Sequence, residues 1–392
     1  MSTPASTAID EDVHLPDWAR WTAQDPSAPY SVGMEEEVML LEPGSWELTN
    51  RIDDVLAGAP AELGTQLDAE THGSAAELRT SPHRSLAEAI AELDELRGSL
   101  DDTLTSLGMR AATAGTHPTA VWDDVVVSGK DRYRKVYASM RELARREPTF
   151  ALHVHVGLSD PETGVRVLNG LRAHLPVLLA LSANSPFWQG RDSGLASART
   201  PVFGAFPRVG IPREFAGYSD YVTAVDTLIR CGAVPEPTFL WWDVRLQPRF
   251  GTIELRILDA QTSTWQTGAL VALIQSLCRL LVEEDAETHE THPPEVLEEN
   301  RFLASRDGVE AHLIRPALGA RIPVPTLVDE LIGRCEPHAA ELGCEAELAR
   351  VRELSRRNGS INQLAVERRV GDLPHLIESL ADEFRGSRPP AS

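Results

Sequence analysis

The segment Ser31–Leu41, SVGMEEEVMLL, constrains the fold of this chain more than any other. Its β-branched and apolar residues predict a β-strand, yet Glu35, Glu36 and Glu37 stand at its centre. A strand sends alternate side chains to opposite faces, so Glu35 and Glu37 share one face and Glu36 takes the other. Neighbouring carboxylates on an apolar strand repel each other and lose hydration on burial. On a solvated edge strand they would serve to discourage aggregation. In a central strand they require cations, and hard divalent ions take oxygen ligands. The other strands decide between these two uses.

Three further segments carry ionisable residues at the same period of two. AAELRT places Glu77 and Arg79 on one face. His153-Val154-His155-Val156-Gly157 places two imidazoles on one face and two valines on the other. A His-x-His strand is a common metal-ligand arrangement, and it also occurs without any metal. The next carboxylates, Asp160 and Glu162, miss the spacing of a cupin oxygenase. Thr252–Ile257, TIELRI, directs Glu254 and Arg256 one way and three apolar residues the other. The strand before it, TFLWWDVRLQP, has Asp243 and Arg245 on a common face. Each Glu–Arg pair also fits an ordinary cross-strand salt bridge. Taken together, the four strands predict a sheet face lined with metal ligands and arginines. That layout suits phosphoryl transfer, where positioning and charge neutralisation do most of the catalysis and arginine grips phosphate oxygens bidentately. No GxxxxGK[ST] or GxGxxG segment occurs, which excludes P-loop and Rossmann nucleotide sites.

Strands dominate the first part of the chain and helices the last third. This order predicts an α+β fold with a mainly antiparallel sheet. Helices are expected over Ser85–Leu107, basic residues 131–147, Gly164–Ser182, Ser219–Arg230, Trp265–Val282 and from Pro294 to Leu380. One catalytic domain, 29–383, is expected between a flexible leader, 1–28, and a flexible tail, 384–392. Asn184–Gly217 is long and rich in Pro, Gly and Arg, and it reads either as a substrate lid or as a packed Ω-loop. The net charge of −22 argues against nucleic acid or an anionic membrane as partner, so any anionic substrate needs a local reversal of sign. The four cysteines form no CxxC pair, which fits free buried thiols in a cytoplasmic protein. No apolar stretch is read as a membrane span of roughly 20 residues.

The segments GMEEE, AELRT, AGTHP, LHVHVG, LSANSPFWQGRDSGLASAR, WWDVR, GTIELRILDAQT and ENRFLASRDG occur in this order between Tyr30 and Arg369. Together they resemble the bacterial carboxylate–amine ligases of the YbdK type, also called glutamate–cysteine ligase type 2. The resemblance implies a catalytic fold similar to that of glutamine synthetase, a curved antiparallel sheet with helices on its outer face that holds ATP and Mg²⁺ or Mn²⁺. It implies metal ligation by Glu35, Glu37, Glu77, His153 and Glu254, and catalytic roles for Arg256, Arg245 and His155. Arg256, Arg301 and Arg306 would bind phosphate; Glu77, Arg79 and Arg199 would bind substrate. The lead-in THGSAAE departs from the Phe-x-Ser-Gln-like pattern of the family, and NGSINQ matches its Gly-x-x-Ala-x-x-Gln segment only loosely. The implied reaction joins a carboxylate, the γ-carboxylate of glutamate, to an amine such as cysteine, by way of an acyl phosphate. The implied partners are small amino-acid and amine substrates and further copies of the chain, as homodimer or higher oligomer. Another acid–amine pair, a metal-dependent hydrolase and a non-catalytic binding relative remain alternatives.

Overall fold

Alternation of apolar and ionisable residues builds one antiparallel sheet. A computed structural model describes residues 15–25, 28–122, 126, 131–141, 143 and 148–386. The strands of this sheet are β1 (Val32–Leu41), β2 (Leu67–Ala69), β3 (Ala75–Arg79), β4 (Arg110–Ala112), β5 (Ala151–Gly157), β6 (Val244–Gln247) and β7 (Thr252–Asp259). Their order is β6-β7-β5-β1-β3-β2, with β4 pairing the end of β1. Strand β1 therefore lies in the interior of the sheet, with β5 on one side and β3 on the other. This rules out the edge-strand use of its glutamates.

One face of the sheet is apolar. Met34, Leu152, Val154, Val156, Ile253 and Leu255 are all buried there against the helices Leu86–Ser106, Pro161–Leu171, Leu175–Ser182 and Thr264–Glu283. Glu36 points into this same apolar layer and is fully buried. Arg97, from the Leu86–Ser106 helix, meets it with two hydrogen bonds of 2.7 and 2.6 Å. The Thr264–Glu283 helix starts at a capping box of Ser263 and Gln266 and runs through the core. It is long and apolar enough to cross a membrane by composition, contrary to the sequence reading, and 83% of its apolar window is buried inside the protein.

Several boundaries differ from expectation for local reasons. The single helix expected over Gly164–Ser182 is two, Pro161–Leu171 and Leu175–Ser182. Pro176, in the first turn of the second helix, cannot continue a helix begun upstream. Part of the expected flexible leader is docked: Trp18 Nε1 donates to Asp226 and Trp21 Nε1 to the Leu158 carbonyl, and Ala19 is buried. The last helix extends to Gly386 and buries Phe384, the first residue of the expected tail, while 387–392 lie outside the described residues. The basic helix is seen as Asp131–Met140; of its expected remainder, residues 142 and 144–147 lie outside the described residues. Cys278, Cys335 and Cys344 are buried as expected, but Cys231 is exposed.

Candidate active site

The opposite face of the sheet gathers the ionisable residues, because each occupies the same phase of the two-residue repeat. The register pairs Glu35 with Arg79 and His153, Glu37 with Glu77, and Glu254 with His155 and Arg245. His153 Nδ1 lies 3.1 Å from Glu35 Oε2, and His155 Nε2 lies 3.7 Å from Glu35 Oε1. Glu37 accepts the Ala151 backbone N–H at 2.7 Å.

The acids of this face differ sharply in proton affinity. Burial pushes Glu35 up, but the His153 hydrogen bond and the charges of both imidazoles prevail and hold its carboxyl down at about 2. Burial, reinforced by the charge of Glu70, pushes Glu37 up to about 8. Burial also raises Glu77 well above the usual range, with Glu35, Glu70 and Glu37 adding repulsion. Burial, then the charge of Arg256, lowers His153 to about 4, which leaves a neutral imidazole beside an ionised Glu35. Carboxyls that hold protons at neutral pH because they are buried and crowd one another form a donor set that a divalent cation neutralises.

Among the described residues, two groups have the proximity for such an ion. Ligand atoms of Glu35, Glu77 and His153 lie within 4.8 Å of one another, as do those of Glu35, His155 and Glu254. His155 Nδ1 sits 3.0 Å from Thr252 Oγ1, and its buried Nε2 has no hydrogen-bond partner among the described residues. Glu254 is otherwise engaged. Its oxygens accept from Arg245 Nε at 2.6 Å, Arg245 Nη2 at 3.1 Å, Gln247 at 2.7 Å and Arg256 Nη1. A cation on Glu254 would compete with these donors, whereas around the Glu35–Glu77–His153 set the arginine contacts are longer, Arg256 Nη1 to His153 Nδ1 at 3.4 Å and Arg79 to Glu77 at 3.9 Å.

The arginines sort by what they already hold. Arg256 pairs with Glu254, and its buried Nε has no partner among the described residues. Arg245 spends its remaining donors on the Thr238 and Leu240 carbonyls, at 3.0 and 2.9 Å, so it braces Glu254 and the turn. Arg301 is bound bidentately to Asp243, and the Asp243 carbonyl accepts the Arg256 N–H at 2.8 Å. Arg301 thus supports the strand that carries Arg256. Arg306 pairs with Asp307 at the surface end of the Pro294–Asp307 helix, and the fold does not bring it to the sheet face. Arg79 lies 3.5 Å from Asp68 and 3.9 Å from Glu77.

The first part of the long Asn184–Gly217 segment is packed against this face, and its last part against the helix Pro161–Leu171, where Asn169 bonds the Phe215 carbonyl. Asp259 accepts from Asn184 N, Ser185 Oγ and Ser197 Oγ at 2.8, 2.7 and 2.9 Å. A β-bulge between Leu255 and Leu258 takes backbone groups of β7 out of the ladder. Arg199 donates to the freed Ile257 and Arg256 carbonyls, each at 3.2 Å. Gln363 of the NGSINQ segment locks Asn184 from behind, donating to its backbone carbonyl and its side-chain oxygen at 2.8 Å.

Two clefts flank β1. The larger, about 780 Å³, is lined by Glu35, Arg79, His155 and Phe250 with neutral polar residues such as Gln24 and Thr80. Gly33 opens its floor, because a Cβ there would meet nothing within 4 Å. The smaller, about 70 Å³, is lined by Glu37, Glu70, His153, Arg199 and Arg256, with an apolar wall. Sequence reasoning missed Glu70, although Leu67-Asp68-Ala69-Glu70 alternates apolar and acidic residues, and Asp259, although ILDA follows directly on the Glu254 strand.

The family profile of glutamate–cysteine ligase family 2 (GCS2) matches residues 31–378. A Rubrobacter xylanophilus protein named "Putative glutamate--cysteine ligase 2-3" is 43% identical over 359 residues, covering 91% of this chain and 97% of its own length. A Sorangium cellulosum protein named "Putative glutamate--cysteine ligase 2" is 36% identical over 360 residues, covering 90% of this chain and 96% of its own. Among solved structures, glutamate–cysteine ligase from Francisella tularensis, in complex with AMP, superposes with a TM-score of 0.68 at 14% identity, covering 91% of this chain and 89% of that one. A bifunctional glutathione synthetase from Pasteurella multocida superposes at 0.69 and 13% identity, over 91% of this chain and 52% of that one. These structures share the fold, and with the sequence relatives they agree with the expected α+β architecture. With its profile spanning both the Glu35–Glu37 strand and the Glu254–Arg256 strand, this chain belongs to glutamate–cysteine ligase family 2, and it is a ligase.

Proposed function

We propose that this protein is an ATP- and metal-dependent carboxylate–amine ligase that binds ATP in the larger cleft and joins glutamate to an amine in the smaller one. The observation that carries this reading is the division of β1 between the two clefts. Glu35 opens to one and Glu37 to the other, with His153 between them. The larger cleft has the volume for a nucleotide, and its lining carries one acid, Glu35, against Arg79 and Arg249. The smaller cleft offers arginines for a carboxylate and glutamates for an ammonium group, the pairing a zwitterionic amino acid requires.

Mg²⁺ or Mn²⁺, held by Glu35, Glu77 and His153, with Glu37, His155 and Glu254 adjoining, would supply neutralisation of phosphate charge. The residues of the chain do the rest. Arg256, the arginine that faces the smaller cleft and pairs with the ligand set, stabilises charge on the transferring phosphoryl group. Arg199 and Glu70 orient the acid, so that only its far carboxylate meets the nucleotide. Arg245 and Arg301 position Glu254 and Arg256 through the contacts described above. His155, pinned by Thr252, presents its Nε2 to the Glu35 side of the face.

ADP release measured with Mg²⁺ or Mn²⁺ and a panel of acids and amines tests the reading. It predicts ADP only when acid and amine are both present, with the amide found by mass spectrometry. ATP hydrolysis independent of both substrates would identify a hydrolase. Nucleotide binding without turnover on any pair would identify a non-catalytic relative.

A further inference from the structure

The smaller cleft has a second character that glutamate does not use. Opposite its charged floor stands an apolar wall of Phe203, Phe206 and Trp241, closed by Val136 and Met140. The rings form a connected set: Phe203 meets Phe206 edge-on at 5.1 Å, and Phe206 lies 6.5 Å from Trp241. All three rings are half-buried, so part of each remains open. The wall is fixed from behind. Phe239, buried, packs 5.8 Å from Trp241, and the Arg208 guanidinium lies over the Trp241 ring at 5.1 Å while bonding the Phe239 carbonyl. Arg199 stacks on Phe203 at 5.5 Å, which joins the wall to the charged floor.

We propose that the amine accepted by this protein carries a large apolar group, aromatic or branched, which lies against the Phe203–Phe206–Trp241 wall. The proposal rests on the ligase reading above and specifies its second substrate. Glutamate, charged at both ends, belongs on the arginine and glutamate floor and leaves the wall uncovered. A small polar amine, or the short side chain of cysteine, would cover little of it. A phenyl or branched alkyl group removes far more apolar surface from water, and the pre-formed wall needs no reordering to receive it. An adenine ring is the other flat body that could stack there. The Glu70 carboxylate beside the wall would oppose its attached phosphates.

The bond changes are those of the parent reaction. The glutamate carboxylate takes the γ-phosphoryl group of ATP and releases ADP. The amine nitrogen then bonds the acyl carbon, the carbon–oxygen bond to phosphate breaks, and inorganic phosphate leaves with the electron pair. The ammonium group gives one proton to solvent before attack, and the second passes to the departing phosphate.

The test is steady-state ADP release with ATP, Mg²⁺ and glutamate or aspartate, comparing phenethylamine and isoamylamine with L-cysteine and ethanolamine. Amides are verified by mass. The apolar amines are expected to exceed the small ones in kcat/KM by at least about tenfold, the scale of a hydrophobic pocket's discrimination. Phe206→Ala and, separately, Trp241→Ala should each raise KM for phenethylamine about tenfold without moving KM for ATP. Equal or better turnover of cysteine in the wild type would overturn the apolar amine and leave the ligase intact. A rise in KM for ATP in either folded variant would give the wall to adenine and overturn the proposal. No ADP from any pair would overturn it together with the ligase reading.

Discussion

Replacing Arg97 by methionine would strip Glu36 of its counter-charge inside the apolar layer of the fold. The two side chains are 1% and 0% exposed, so no water takes over. Arg97 makes four hydrogen bonds: two to the Glu36 carboxylate, and one each to the Gln261 and Thr262 carbonyls at 2.8 Å. Its guanidinium also lies 4.8 Å from the Phe384 ring. Removing one partner of such a pair costs about 3–5 kcal/mol, because the remaining charge stays buried. For 392 residues the unfolding entropy is about 0.8 kcal/mol per kelvin, so Tm should fall by about 4–6 °C. The double variant Glu36→Leu/Arg97→Met removes both charges and should recover most of the loss. Recovery should be incomplete, because the Thr262 carbonyl then keeps only a long contact to Thr113 at 3.5 Å. Activity at 20 °C should survive in both proteins, since Glu36 faces away from the ligand set. Differential scanning fluorimetry with a parallel activity assay provides the measurement. A drop of under 1 °C for Arg97→Met, or a double variant less stable than the single one, would refute this account of the pair.

Other expectations follow from the site. Glu37, raised to about 8 by burial and Glu70, keeps in the folded state a proton that the unfolded chain loses near the ordinary value of 4.5. Metal-free protein should therefore lose stability as pH rises toward 8; the opposite contribution of His153, lowered to about 4 from 6.5, fades above pH 6.5, so the decline is cleanest between 6.5 and 8. Mg²⁺ should accordingly raise Tm more at pH 8.5 than at pH 6.5, and equal shifts would count against cation binding at this acid cluster. Arg256→Lys should lower kcat about 100-fold with little change in Tm, because the lysine lacks the bidentate fork while Arg245 still neutralises Glu254; unfolding would show that Arg256 serves mainly as a salt bridge. Arg306→Ala should leave kcat within about twofold, since its partner is Asp307 at the surface, and a large fall would return it to the site.

The convergence of Glu35, Glu37, Glu77, His153 and Glu254 on one sheet face was legible because strand periodicity alone determines facing. Once GMEEE, AELR, HVH and IELR are read as strands, any antiparallel register that buries their apolar residues together also gathers their ionisable ones. What each arginine holds was not legible, because that depends on contacts distant in the chain. Arg301 meets Asp243 across 58 residues, and Arg97 meets Glu36 across 61. An Arg four residues before a Ser-Arg-Asp turn looks much like an Arg inside it, yet the Arg301 side chain is 12% exposed and that of Arg306 42%. The packing of the start of Asn184–Gly217 turned on Asp259, a single carboxylate at the end of the last patterned strand. Three hydrogen bonds from Asn184, Ser185 and Ser197 to that carboxylate fix the start of the segment, which a reading by composition could not foresee. The Glu70 side chain, just past the short strand β2, adds to burial in raising the proton affinity of Glu37.

The central claim is that glutamate is activated as an acyl phosphate between the two clefts, and oxygen transfer tests it most directly. Glutamate labelled with ¹⁸O in its γ-carboxylate would be turned over with ATP, Mg²⁺ and a productive amine, and the released phosphate analysed by mass spectrometry. The account predicts one ¹⁸O atom in each inorganic phosphate, because the carbon–oxygen bond broken in the last step leaves a carboxylate oxygen on phosphorus. Phosphate free of label, formed alongside the amide, would contradict it.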